Sequence, residues 1–89
     1  MQHFNIKIYG IVQGVGFRYH AIRQANSIGI TGFVRNEPDG SVYIEAEGNE
    51  IALAEFMQWC KTGPSHAQVE DVIVKEGILK NFTSFEARH

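Results

Sequence analysis

Apolar and polar residues alternate from His3 to Tyr9, with Phe4, Ile6 and Ile8 on one side and His3, Asn5, Lys7 and Tyr9 on the other. A period of two is the pattern of a strand with one buried face. After a run rich in glycine the period lengthens. Ala21, Ile22, Ala25 and Ile28 recur at helical spacing and Gly29 supplies a C-terminal stop, so a helix is predicted from about Phe17 to Ile28. Ile30 to Asn36 reads as a second strand, Glu37-Pro38-Asp39-Gly40 as a turn, and Ser41 to Glu47 as a third strand with Val42, Ile44 and Ala46 inward. The two strands form a hairpin. Asn49 is the expected N-cap of a second helix, whose stripe of Leu53, Phe56, Met57 and Cys60 would cover the sheet, with Trp59 at its edge, before Gly63-Pro64 ends it. Val69 to Lys75 reads as a fourth strand and Phe82 to Arg88 as a short last one.

The order is βαββαβ with a tail strand. It predicts a single α+β domain over residues 1–89 in the ferredoxin-like split βαβ arrangement, an antiparallel sheet with two helices on one face. In that topology the first two strands run parallel through a right-handed crossover, so their C-terminal ends share one sheet edge. The glycine run following strand one therefore lies at the edge where Asn36 closes strand two. Asn36 either faces that run or merely opens the turn, as asparagine often does.

Composition narrows the choice of function. With 89 residues, 44% hydrophobic and 20% charged, the chain reads as one small soluble domain with a modest core. A net charge of −2 and a pI near 6.0 argue against generic nucleic-acid binding, which draws on surplus Lys and Arg. No run approaches a membrane span, and the start Met-Gln-His-Phe-Asn lacks a basic region followed by an apolar one. A cytoplasmic monomer with no membrane partner is expected. The lone Cys60 excludes an internal disulfide and a thiolate metal cluster, and on an apolar helical face it reads as a buried thiol. His3, His20, His66 and His89 are scattered, so neither metal nor cofactor is expected.

The chemistry centres on Gly10-Ile-Val-Gln-Gly-Val-Gly-Phe-Arg18. Its three glycines permit positive φ and leave peptide N–H groups unshielded. Between a strand and a helix such a loop can cradle an anion, with the helix N-terminus behind it. The N–H groups of Gln13, Gly14, Val15, Gly16 and Phe17 are the candidate phosphate ligands, and Arg18 would add a planar fork matched to phosphate oxygens. The run is not a Walker A loop, because Phe17 and Arg18 stand where Lys and Ser/Thr would follow Gly16. Nor is it a dinucleotide fingerprint, because the third glycine position is Tyr19.

Together with Gly29-Ile-Thr-Gly-Phe-Val-Arg-Asn36, Asp39-Gly-Ser-Val42, Gly63-Pro64, Ala67 and Val69, this run closely resembles the acylphosphatase family over nearly the whole chain. The resemblance implies a small ferredoxin-like enzyme that hydrolyses carboxyl-phosphate anhydrides without a metal. It also implies that Arg18 binds the phosphoryl group and that Asn36 orients the attacking water. Two positions depart from some members: Glu37 stands where a hydroxyl residue would support Asn36, and Gly16 replaces a bulkier residue, which would make the loop more flexible.

The residues limit the mechanism independently of the family. The loop also resembles that of cysteine-dependent phosphatases, whose nucleophilic Cys lies six positions before the Arg; here that position is Val12. No Cys, Ser, Thr, His or Asp lies between Gly10 and Phe17, so water must attack directly. The loop also lacks a general acid to protonate an alkoxide, whereas a carboxylate, from an acid of pKa ~4, leaves unaided. An acyl phosphate is thus the expected small-molecule substrate, with inorganic phosphate or sulfate as competing ligand. The base for the water's proton is either a substrate phosphate oxygen or His20. Rival readings are a non-catalytic ferredoxin-like module binding RNA, echoed by Thr31-Gly-Phe-Val-Arg-Asn36 without paired aromatics, or a small regulatory molecule. A domain of the larger carbamoyl-transfer proteins that mature hydrogenases is a further one, disfavoured by a free chain of 89 residues.

Overall fold

The first alternating segment extends to a ten-residue strand, β1 (Gln2–Ile11), in a computed structural model that describes all 89 residues. It is followed by α1 (Phe17–Ile28), β2 (Thr31–Asn36), β3 (Val42–Gly48), α2 (Glu50–Thr62), β4 (Gln68–Gly77) and β5 (Phe85–Arg88). Glycine sets both ends of α1: Gly16 and Gly29 hold φ of 79° and 87°, and the Gly29 N–H closes on the Ala25 carbonyl. Side chains rarely adopt that left-handed geometry, so the helix begins and ends where the spacing predicts. Asn49 caps α2 as expected, its Oδ1 accepting the Ala52 N–H at 2.8 Å. No helix is long and apolar enough to cross a membrane.

The sheet order is β4-β1-β3-β2-β5. β3 lies antiparallel to both β1 and β2, so those two run in the same direction and end at one edge. Ile6, Ile8, Val34, Val42, Ile44 and Ala46 from one face of the sheet pack with Ala21, Ala25, Leu53, Phe56 and Cys60 of the helices in one core. Burial raises the pKa of the Cys60 thiol far above its ordinary value, consistent with a packing role.

Two expectations need correction. The sheet is mixed rather than antiparallel, because β5 pairs parallel to β2. Gly77 lies opposite His3, His3 opposite Glu47 and Glu47 opposite Thr31, so β4 ends where β2 begins. A chain crossing from there to the far edge must enter it in the direction of β2. Phe82, expected within the last strand, belongs instead to that crossing. Its ring packs over the helix-free face, 6.0 Å from His3 and 5.8 Å from Phe33.

The crossing buries a polar cluster that alternation alone assigns to solvent. His3 and Glu47 are each 1% exposed, with His3 Nδ1 and Glu47 Oε2 2.8 Å apart. Glu47 also accepts the backbone N–H groups of Lys80, at 2.6 Å, and Phe82, at 3.0 Å. Glu45 beside it accepts from Lys80 Nζ and from the Tyr43 hydroxyl, both at 2.8 Å. Burial alone would raise the pKa of Glu47, but the Lys80 N–H, His3 and the Phe82 N–H outweigh it and hold the carboxyl below its ordinary 4.5. Glu45 is likewise lowered, with Lys80 and Tyr43 outweighing burial.

A carboxyl whose pKa falls on folding stabilises the fold above its unfolded pKa and ceases to do so as pH drops through its folded pKa. The urea midpoint should therefore hold above pH 4.5 and fall progressively below it. Glu47→Ala leaves the buried His3 Nδ1 and two part-buried backbone N–H groups without their partner and should cost roughly 3 kcal/mol at neutral pH. It should also flatten the acid decline. Urea unfolding of both proteins at neutral and acid pH checks both points.

Candidate active site

β1 delivers the chain to the shared sheet edge at Ile11, and residues 12–16 turn it into α1. Both ends of this loop are pinned by burial. Val12 is 1% exposed and Phe17 2%, the latter ring 5.2 Å from Trp59. Between them Gly14 and Gly16 adopt φ of 74° and 79°. A Cβ at Gly16 would come no closer than 3.5 Å to its nearest neighbour, so backbone conformation, not crowding, favours glycine there.

The loop N–H groups are left open. None from Gln13 to Phe17 donates to a backbone carbonyl or a side chain. Gly16, as N-cap, offers no side-chain acceptor to the first turn of α1. Unpaired peptide donors are uncommon in folded chains unless water or a ligand meets them, and here they precede and begin α1, at its positive end. Gln13 differs from its loop neighbours. Its side-chain Nε2 donates to the carbonyls of Glu37, at 2.8 Å, and Ser41, at 2.9 Å, tying the loop to the β2–β3 turn. That tie offsets the flexibility expected from Gly16.

The turn itself is braced. Asp39 accepts both the hydroxyl and the N–H of Ser41 and pairs with Lys7 Nζ at 3.1 Å. Those contacts hold its carboxyl at about 2, led by the Ser41 hydroxyl. Glu37 Oε2 turns toward Arg35 Nε at 3.3 Å, so it is engaged away from Asn36.

Arg18, in the first turn of α1, and Asn36, the last residue of β2, line one cleft of about 420 Å³ with Gly14 and Gly16. The edge inferred from the crossover thus brings together residues eighteen positions apart. The Arg18 guanidinium has a single long contact, Nη1 to His89 Nδ1 at 3.5 Å, and the Asn36 amide has no hydrogen bond. Both polar heads are free to meet a ligand. No Asp or Glu side chain lines the cleft to oppose an anion.

Sequence reasoning missed the rest of the wall: Tyr19, Ile22, Ala87 and His89. Ile22 lies at i+4 from Arg18 and was detectable on that ground; Tyr19, the next residue along, carries no such signal. Ala87 and His89 arrive only because β5 runs parallel to β2, so no local signal marks them. His20 is exposed and lies outside the cleft, whereas the imidazole of His89 stands inside it. On the opposite face Phe33 is 3% exposed, covered by Phe82 and by the Arg88 guanidinium 4.1 Å from its ring, so no accessible platform for stacking a base exists there.

The fold is shared with known proteins. A family model described as Acylphosphatase matches residues 4–87. A curated acylphosphatase of Archaeoglobus fulgidus is 48% identical over 84 residues, covering 94% of both chains. The crystal structure of acylphosphatase from Bacillus subtilis superposes with a TM-score of 0.97 at 38% identity, covering all of both chains. Full-length HypF in its phosphate- and nucleotide-bound form contains a similar region, with a TM-score of 0.89 and 32% identity over 99% of this chain and 12% of that one. With a glycine loop, an arginine and an asparagine meeting at one sheet edge, and relatives matched along the full length, this chain belongs to the acylphosphatase family and is an enzyme with acylphosphatase activity.

Proposed function

We propose that the chain hydrolyses acyl phosphates by direct attack of water on a phosphoryl group held in the loop. The observation that carries this reading is the cleft lined by Gly14, Gly16 and Phe17, whose N–H groups are unpaired, together with the free heads of Arg18 and Asn36. The N–H groups and the guanidinium bind the phosphoryl oxygens and spread the charge that builds on them in a loose transition state. Asn36 accepts from or donates to the water and holds it in line with the leaving oxygen.

As the water oxygen bonds to phosphorus, the bond from phosphorus to the acyl oxygen breaks and its electrons leave with the carboxylate. The water's proton passes to a phosphoryl oxygen, giving carboxylate and inorganic phosphate. No enzyme residue is phosphorylated: the position that carries cysteine in cysteine-dependent phosphatases is Val12, a buried side chain without a nucleophilic atom. The leaving carboxylate needs no acid, so a phosphate monoester, which expels an alkoxide, is a poor substrate.

The test is hydrolysis of benzoyl phosphate, followed by loss of its ultraviolet absorbance, with a phenyl or alkyl phosphate monoester as control. Rapid turnover of the first and negligible turnover of the second is expected; the reverse preference contradicts the reading. The chain's own donors supply the positive charge in this scheme. Chelator should therefore leave the rate unchanged and inorganic phosphate or sulfate should inhibit competitively. A strict requirement for added magnesium would contradict it.

A further inference from the structure

The cleft, at about 420 Å³, is larger than a phosphoryl group needs. Besides the loop, Arg18 and Asn36, it is lined by Tyr19, Ile22 and Ala87. Tyr19 is 58% exposed, an unusual place for a large ring, yet it is held in position. Arg23, one helical turn on, donates from Nη1 to the Tyr19 hydroxyl at 3.0 Å and lies 5.7 Å from its ring centroid. The His20 ring packs edge-on at 5.2 Å from the other side. Ordering the ring before a ligand arrives lowers the cost of using it as a contact surface. Ile22, a turn beyond Arg18, and Ala87 on β5 line the same cleft, the latter with a small side chain. With the phosphoryl group seated in the loop, its acyl substituent must project away from the N–H groups, and these apolar side chains are the remaining surface the cleft offers it.

We propose that Tyr19, with Ile22 and Ala87, forms an acyl-side wall that makes the enzyme selective for apolar acyl phosphates of aryl size over small acyl groups. The proposal rests on the phosphoryl group occupying the loop as set out above, and it adds the part of the substrate that the loop does not recognise. Arg23 is engaged with Tyr19 and Arg18 with the phosphoryl group. A second carboxylate on the acyl chain would therefore find no further Lys or Arg in the lining. Apolar contact, not charge pairing, is what the wall offers.

The experiment compares kcat/KM for benzoyl phosphate and acetyl phosphate in the parent chain, Tyr19→Ala and Tyr19→Phe. An aromatic contact is worth about 0.5–1.5 kcal/mol beyond the area it buries. The benzoyl-to-acetyl ratio should thus fall about 2- to 13-fold in Tyr19→Ala. Tyr19→Phe keeps the ring and should retain most of the ratio. Because the phosphate loop is untouched, inhibition by inorganic phosphate should be unchanged in both variants. Tyr19 is exposed, so neither change threatens the core. A ratio unaltered in Tyr19→Ala, or one that falls only together with phosphate affinity, overturns the wall. A parent chain that hydrolyses neither substrate overturns the reading of the site itself.

Discussion

Arg18→Ala is expected to lower kcat/KM for an acyl phosphate by on the order of 10²-fold or more and to abolish most competition by inorganic phosphate. The guanidinium presents several N–H donors, yet its only protein partner is His89 at 3.5 Å, beyond the distance of a strong hydrogen bond. Little of its bonding capacity is committed to holding the fold. Removal should leave the unfolding midpoint nearly unchanged, so any loss of rate reports on phosphate rather than on stability. Arg18→Lys should fail almost as badly, because an ammonium is a point charge and cannot place two parallel donors on adjacent phosphoryl oxygens. Initial rates and phosphate inhibition constants for the folded variants check this; full activity in Arg18→Ala would sink the assignment.

Asn36→Ala should leave a different signature. If the amide holds only the water, its loss is felt where the attacking oxygen must be aligned, and kcat should fall by about 10²-fold. Binding of inorganic phosphate should stay within about 2-fold of the parent value, since the loop and Arg18 are intact. The amide makes no hydrogen bond within the protein, and Glu37 is engaged with Arg35, so the substitution strands no partner. A variant that instead binds phosphate as weakly as Arg18→Ala while keeping its kcat would make Asn36 a phosphate ligand or a turn residue.

The elements that position the site were legible because their signals are local. Gly16 and Gly29 bracket α1 with the left-handed geometry that other side chains rarely take. The antiparallel pairing of β2 with β3 through the Glu37–Gly40 turn follows from alternation and turn residues. From those and the handedness of the crossover, the approach of Asn36 to the glycine loop could be anticipated. What was not legible depends on contacts distant in sequence. Glu45 and Glu47 stand at polar positions of an alternating strand and read as solvated; their burial comes from a crossing segment more than thirty residues on. The same crossing decides that β5 runs parallel to β2, and with it that Ala87 and His89 reach the cleft. Gln13 reads as one more loop amide, and nothing in its neighbours shows that its side chain will bridge to the Glu37 and Ser41 carbonyls.

The central claim is that phosphoryl oxygens are bound by the loop amides, and titration with inorganic phosphate, followed by the backbone N–H resonances of isotopically labelled protein, tests it most directly. Anions that accept from peptide donors shift those donors' resonances, and five such groups, from Gln13 to Phe17, are without an internal partner. The account predicts saturable shifts concentrated at Gln13, Gly14, Val15, Gly16 and Phe17, with the Arg18 side chain, at a concentration matching the phosphate inhibition constant. Those shifts should vanish in Arg18→Ala and persist in Asn36→Ala. Saturable shifts elsewhere on the molecule, with the loop unmoved at phosphate concentrations that inhibit turnover, would contradict it.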